Sequence, residues 1–401
     1  MLNKFKIATT TAALLLAASQ SFAQANEEAK AKIDECREKH CTTLYLSSID
    51  EITSIPVEVL GLPSVSELRV SGSGITDISL VAKMPGLRTL DISNTGVMDL
   101  SPLANLHALG RLDLARTGIT DLTSIAGLTG LTYLNLRSTS VSDIAPLAQL
   151  PGLTTLVLAR TNVSDLSPLA ALVGMKDLDL EAVPATDFSP IAGLRVLTQL
   201  DLSKTAISDL SVLGGLVILR DLTLDDTQIT GLGPLAALGT LRSLKLQRTA
   251  VSDLVPLSDL AGLTRLNIDE TNVTDLFPVF ALSKLELLSL EETQVSDIFV
   301  VSVLPNLTDL KLAKTQVTDL SPLNGASRLG NLGISHTQIS DISVLAGALE
   351  LSWFDASDSL VSDLAALTAL EKLRTLYIRN TPAANGAQAA ALEANGVRVR
   401  Q

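Results

Sequence analysis

The chain has 401 residues, of which 46% are apolar but only 3% aromatic, so aliphatic side chains must build its core. That apolar content excludes a disordered chain, and 24 Gly with 2 Cys exclude a collagen-like or disulfide-framework protein. A net charge of −13 argues against a nucleic-acid partner, and no apolar run is long enough to insert into a membrane.

Residues 1–23 read as an export signal. Lys4 and Lys6 form a short basic region, Ile7 to Ala18 is a run of small and apolar residues with three threonines, and Ser21-Phe22-Ala23 supplies the small residues that a signal peptidase reads. Cleavage is expected after Ala23, with Ala25 as second choice; the competing reading is a buried N-terminal helix. No cysteine follows to carry a lipid, and Val397-Arg398-Val399-Arg400-Gln401 forms neither a hydrophobic tail nor a sorting motif. The expected product is a soluble periplasmic or secreted protein. In that setting Cys36 and Cys41, the only thiols, are expected to form one disulfide, with free thiols as the alternative. Only His40 stands near enough to join them at a metal, too few ligands for a site.

Residues 24–41 form the expected N-terminal cap. Asn26 to His40 reads as a helix with Asn26 as N-cap, Glu27 and Glu28 in its first turn, and Ile33 and Cys36 on its buried face. A degenerate repeat follows, with Leu44-Tyr45-Leu46 as its strand and Ile49, Ile52 and Leu60 in its core.

The dominant signal begins at Pro63 and runs to Leu370 without insertion or deletion, as fourteen regular units of one constant length, each equivalent to Pro85–Leu106. Positions 3, 6, 8, 13, 16, 19 and 22 are apolar in every repeat. Alternation such as Leu90-Asp91-Ile92 predicts a short strand. Val or Ile at position 13 is then buried after a turn. The Asp-Leu-Ser-Pro-Leu return, with Pro102, Pro146, Pro168, Pro190, Pro234, Pro256, Pro278 and Pro322 at one position, resembles a Ser cap before a proline and leaves room for a single 3₁₀ or α turn. One repeat cannot bury its own apolar face, whereas stacked repeats share a core.

Two polar columns accompany that core. Position 11 is Thr in eleven of fourteen repeats, and position 15 is Asp in all but one, where Gly231 stands. Both are expected to bond backbone groups left unpaired where the chain turns. A Ca²⁺-binding carboxylate ladder would need a glycine-rich nonapeptide that is absent. Val183-Pro184-Ala185 interrupts the Thr column, as a bend or as neutral drift.

These residues resemble the leucine-rich repeat pattern L-x-x-L-x-L-x-x-N-x-I, and the 22-residue form with D-[LI]-x-P-L is similar to bacterial internalin-like repeats. The resemblance covers residues 42–381, with Thr where that family carries Asn, so hydroxyls are expected in place of amides. It implies an α/β solenoid with a parallel β-sheet on the concave face and short 3₁₀ or α turns on the convex face. It also implies a strand face that binds a partner, usually a protein. Residues 382–401 are the expected C-terminal cap. Leu373, Leu376 and Ile378 mark a last regular strand, Ala387 to Ala394 a closing helix stopped by Asn395-Gly396, and Val397 to Val399 a further edge strand.

Positions 5, 7 and 9 should project from the strand face, with position 10 at its rim. Rows alternate in charge: Asp221, Asp225 and Asp226; Lys245 and Arg248; Arg265, Asp269 and Glu270; Glu291 and Glu292; Lys311 and Lys314. This is either cross-strand pairing or an acidic patch at Asp269, Glu270, Glu291 and Glu292 for a basic partner or divalent cation. Tyr133, Trp353 and Tyr377 are read as the outward strand aromatics. Trp353 and Tyr377, with His336, Asp355 and Arg379, form the candidate partner-contact cluster, or else pack under the C-terminal cap. Phe277 and Phe299 share position 17 on the other side, near Phe280; they are expected to fill gaps between turns, with an apolar surface patch as the alternative.

No metal cluster, Ser-His-Asp set or phosphate loop is apparent, since His40, His107 and His336 fall in unrelated places. Sequons at Asn162, Asn272 and Asn306 are by-products of the repeat. The expected protein is a monomeric, non-catalytic scaffold without cofactor that binds a protein or peptide on its strand face. The alternative is an envelope or adhesive component that binds polysaccharide.

Overall fold

The computed structural model describes residues 24–401, so the expected export signal lies outside the described residues. The chain divides into two compact units, ending at Leu194 and beginning at Arg195. Both are stacks of repeats.

The first unit opens with helix α1 at residues 24–39, in which Ala25, Ala29, Ile33 and Cys36 are buried at helical spacing. Asn26 therefore sits inside the helix and does not cap it; the buried Ala25 belongs to the same apolar stripe. Cys36 and Cys41 are joined by a disulfide, tying the end of α1 to the start of strand β1 (Thr43–Tyr45). β1 pairs in parallel with β2 (Glu67–Arg69), placing Leu44 opposite Leu68. Leu44 and Leu68 stand two positions further apart in the chain than Leu68 and Leu90, so the degenerate repeat is longer than the regular ones. Consequently Leu60 is 38% exposed, and Val59 fills the core in its place.

From β2 onward the first unit advances by one regular repeat per strand: Leu68, Leu90, Leu112, Leu134, Leu156 and Leu178 stand side by side in parallel register. The second unit repeats this from Leu200 on β8 (Gln199–Asp201) through Leu222, Leu244, Leu266, Leu288, Leu310, Leu332 and Phe354 to Leu376. It ends with α2 (Ala387–Ala394), Gly396 at φ +89°, and a last strand, Arg398–Arg400, paired to Thr375–Tyr377. Gln388 ties α2 to the preceding repeat by accepting from the Leu364 amide and donating to Asp363.

The apolar positions are the core. Across the fourteen regular repeats all are buried except Ala326, which is half-buried beside Gly325 at φ +87°. Because each strand is only three residues long, its alternation sends one residue inward and two outward. The return leg is a 3₁₀ turn in every repeat.

The two polar columns work within each repeat. The position 11 hydroxyl donates to the carbonyl three residues earlier, as in Thr95 to Ile92 (2.6 Å), Thr227 to Leu224 (2.6 Å) and Thr293 to Leu290 (2.7 Å). Ser73 does the same to Val70. Hydroxyls thus stand where amides are usual, and each satisfies a carbonyl that turns away from the sheet. At position 15, all thirteen aspartates accept the amide two residues on, at 2.7–2.8 Å. The expected Ser cap is therefore replaced by this Asp: the 3₁₀ turn already begins at position 17, so Ser and Pro lie inside it. A carboxylate two residues upstream reaches the first free N–H, which a Ser within the turn cannot.

Position 10 is left-handed throughout. In thirteen repeats a non-glycine residue, from Asn94 to Asp358, has φ between +53° and +58°, and Gly72 at +65° completes the set. Within each unit the amide there donates to the next repeat, as from Asn94 to the Ala115 carbonyl (2.7 Å) and from Lys314 to Ser335 (2.9 Å). Inter-repeat hydrogen bonding thus holds an unfavourable conformation on unrelated side chains.

Candidate functional site

The strand face of the second unit carries the candidate cluster. Trp353 begins β15 (Trp353–Asp355), and Tyr377 ends β16 (Thr375–Tyr377). Their rings lie 5.9 Å apart between centroids, tilted by 54°, a favourable aromatic geometry. Both are half-buried and keep an outer surface. In register, Asp355 lies between Gly333 and Tyr377, and its carboxylate accepts the Ser357 amide at 2.9 Å. Gly333 leaves room for the indole. A Cβ there would sit 3.7 Å from Trp353 Cζ3, an ordinary contact.

His336 and Arg379 join the cluster through a residue that sequence reasoning left out. Asp358, at the rim, lies 3.4 Å from His336 Nε2 and 3.8 Å from Arg379, and accepts from Asn380 at 2.8 Å. Its signal was its place: it occupies position 10 beside His336 and Asn380 in the adjacent rows.

The same rim explains the alternating charges. Arg248 donates to both carboxylate oxygens of Asp226, at 2.5 and 2.7 Å, and to Glu270 at 3.2 Å. These bonds hold its guanidinium charged and raise its pKa further above the ordinary arginine value. Lys314 pairs with Glu292 at 2.5 Å. The four candidate acidic residues therefore do not act alike. Glu270 and Glu292 are engaged by cations. Asp269 is buried, accepting from the Ser289 hydroxyl (2.6 Å) and the Glu291 amide (2.7 Å). Glu291 is pushed up by burial and then by the charge of Asp269. Cross-row pairing thus runs along position 10, through Arg248 and Lys314.

In the first unit Tyr133, on β5 (Tyr133–Asn135), is covered by Arg111, whose guanidinium lies 3.3 Å from the ring centroid. Burial and Asp113 push the phenol up. Arg137 reaches across two rows to Asp179 (2.7 Å) and Glu181 (2.8 Å), and Arg160 also meets Glu181 (2.9 Å). Sequence reasoning missed Tyr45, which projects from β1 at 57% exposure with Arg69 at 5.9 Å from its ring. Alternation about the buried Leu44 was the signal that could have found it.

On the face opposite the strands, the expected gap-filling role fails. Phe277, Phe299 and Phe280 are 69%, 59% and 45% exposed. The buried positions of those turns are already filled by Val279 and Val301, which leaves the rings in solvent.

Among the described residues no group of three or more His, Cys, Asp or Glu side chains is placed to hold a metal ion. No helix there is long and apolar enough to cross a membrane. The family model for Leucine Rich repeats (2 copies) matches residues 129–171. No curated protein sequence matches the chain. Among solved structures, an internalin of Listeria monocytogenes, InlF, is 31% identical; the match covers 80% of this chain and 88% of that one, with a TM-score of 0.63. The leucine-rich repeat protein LIC12759 of Leptospira interrogans matches at 17% identity, 90% and 94% coverage, and a TM-score of 0.67. The functional domain of InlJ from Listeria monocytogenes matches at 24% identity, 82% and 70% coverage, and a TM-score of 0.66. These last two bear on the fold alone. Repeat spacing, capped 3₁₀ turns and the InlF likeness converge on one conclusion: the chain belongs to the leucine-rich repeat proteins of the internalin-like type, a non-catalytic scaffold family used for protein–protein interaction.

Proposed function

We propose that this protein is an exported scaffold that captures a protein or peptide partner on the strand face of its second unit, with Trp353 and Tyr377 as anchors. The observation that carries the reading is the half-exposed aromatic pair itself. The strand face is largely polar and charged, so two adjoining rings there are apolar surface without a covering element. Tyrosine and tryptophan dominate binding energy where they can be desolvated between partners. The polar groups around them, Asp358, His336 and Arg379, provide a rim.

Export is supported by the signal-like residues 1–23 and by the Cys36–Cys41 disulfide, which persists in an oxidising compartment. Periplasm and medium both meet that condition.

The test uses purified residues 24–401 and peptides selected on them from a displayed random library. W353A, Y377A and the double variant should each weaken the selected peptides by about tenfold or more, with an unchanged thermal midpoint. Equal affinity for the double variant would remove the strand-face site. Retention on a polysaccharide matrix that the same variants abolish, without any selected peptide, would favour the envelope-component reading.

A further inference from the structure

Position 17 opens the 3₁₀ turn, and in most repeats it is small and polar: Ser101, Thr123, Ser167, Ser211 and Ser321. In three successive repeats of the second unit it is instead Val255, Phe277 and Phe299. Their turns, Val255–Leu257, Phe277–Ala281 and Phe299–Val303, pack on one another in order. The three side chains therefore form a stripe, 61%, 69% and 59% exposed. Phe280 widens it, stacked on Phe277 at 5.9 Å between centroids. At roughly 200 Å² per phenylalanine the patch is on the order of 400 Å², the size that marks contact sites on soluble proteins.

The stripe has an acidic border. Asp253, Asp275 and Asp297 each accept the amide of the stripe residue two positions on, at 2.7–2.8 Å. In serine and threonine repeats the second carboxylate oxygen also takes a hydroxyl, as in Asp99 with Ser101 and Asp121 with Thr123 at 2.8 Å. Val and Phe have no hydroxyl, so that intra-turn donor is missing from all three border aspartates.

We propose that this stripe docks a basic amphipathic helix of a partner protein, independently of the strand face. The strands behind these turns are spaced by about 4.8 Å, and the turns themselves lie in contact in the same order. Apolar residues three and four apart on a helix are about 5–6 Å apart. A helix lying along the stack therefore presents one apolar side chain to each of Val255, Phe277 and Phe299, while flanking Lys or Arg side chains reach the aspartates. The border selects this occupant. A second copy of the chain would bring the same carboxylates face to face, an anionic lipid surface would be repelled, and the patch is half of what a stable dimer buries per partner.

The probe is a fourteen-residue Leu/Lys peptide with leucine at helical i, i+3, i+4 and i+7 spacing, titrated calorimetrically into residues 24–401. A Ser/Lys peptide of equal charge is the control. The Leu/Lys peptide should bind, and the Ser/Lys peptide should bind at least tenfold more weakly. The triple variant V255S, F277S and F299S should lose tenfold or more. It restores the residue that other repeats carry, so its thermal midpoint should not fall; should it fail to fold, F277S alone carries the same test. D253N, D275N and D297N together should weaken binding and flatten its salt dependence. W353A with Y377A should leave it unchanged, which separates this stripe from the strand-face reading. Equal binding of the two peptides, or undiminished binding by the serine variants, would overturn the proposal.

Discussion

The Trp353 indole packs against the ring of Tyr377 and over the bare backbone of Gly333, one row before it. Trp353 is the only tryptophan of the chain, so its emission reports this packing directly. G333A should leave the emission unchanged, since a Cβ there makes only an ordinary contact. G333L should force the indole outward and red-shift the emission. An unshifted spectrum for G333L would show that the ring does not depend on this gap.

Thr293 is fully buried, and its hydroxyl satisfies the Leu290 carbonyl. T293V keeps the shape but leaves that carbonyl without its donor, so it should cost about 1–3 kcal/mol. T293S retains the bond and should cost less. Urea unfolding of both variants checks the order; equal loss would place the column's value in packing instead.

Glu291 has a raised pKa, from burial first and Asp269 second. Its penalty is therefore absent at low pH and appears as pH rises through that raised value. E291Q removes the charge, so it should be more stable than the parent at pH 7 and equal to it near pH 3.5. Thermal midpoints across that range decide the matter, and a gain confined to the acid end would contradict the sign.

The capping aspartates carry the opposite sign. Asp77, Asp99, Asp121, Asp165, Asp187, Asp209, Asp341 and Asp363 are lowered chiefly by the backbone amide they accept, and Asp319 chiefly by the Ser321 hydroxyl. Their contribution is present above the ordinary carboxylate value of about 3.9 and is lost as pH falls below it. The thermal midpoint should therefore decline between pH 4.5 and pH 2. The combined D99N, D121N and D209N variant should decline less steeply, because asparagine keeps an acceptor without titrating.

Ala182 holds φ at +58° with no side chain beyond Cβ. A182G removes the left-handed strain and should gain up to about 1 kcal/mol, the remainder being offset by glycine's greater unfolded-state entropy. A182V should lose stability. Differential scanning calorimetry of the three proteins ranks them, and a destabilised A182G would refute the strain argument.

Much of this architecture was readable before any coordinates. Seven apolar positions recurring at one unbroken period leave one way to bury them, and Cys36 with Cys41, the Thr and Asp columns and α2 fell where local chemistry put them. The misses share a physical origin. Leu60 was misplaced because a short insertion precedes it, and the frame counted back from Val81 selects Val59. Ser at position 17 looked like a cap, but the turn has already begun there, and Asp two residues earlier accepts the Ser amide itself. Position 10 carried no recognisable signal, since Asn94, Arg116, Ser138 and Asp226 share no chemistry; the next repeat, whose carbonyl accepts each of these amides, imposes their conformation.

Sequence by itself determined the repeat length, the core and the bonds made inside one repeat, because those depend on residues only a few positions apart. Tertiary structure decided what lies across repeats. It placed Trp353 beside Tyr377, paired Arg248 with Asp226 and Glu270, buried Asp269, and left Phe277 in solvent. Those outcomes depend on which side chains the stacking sets about 4.8 Å apart, a distance that separation along the chain does not reveal.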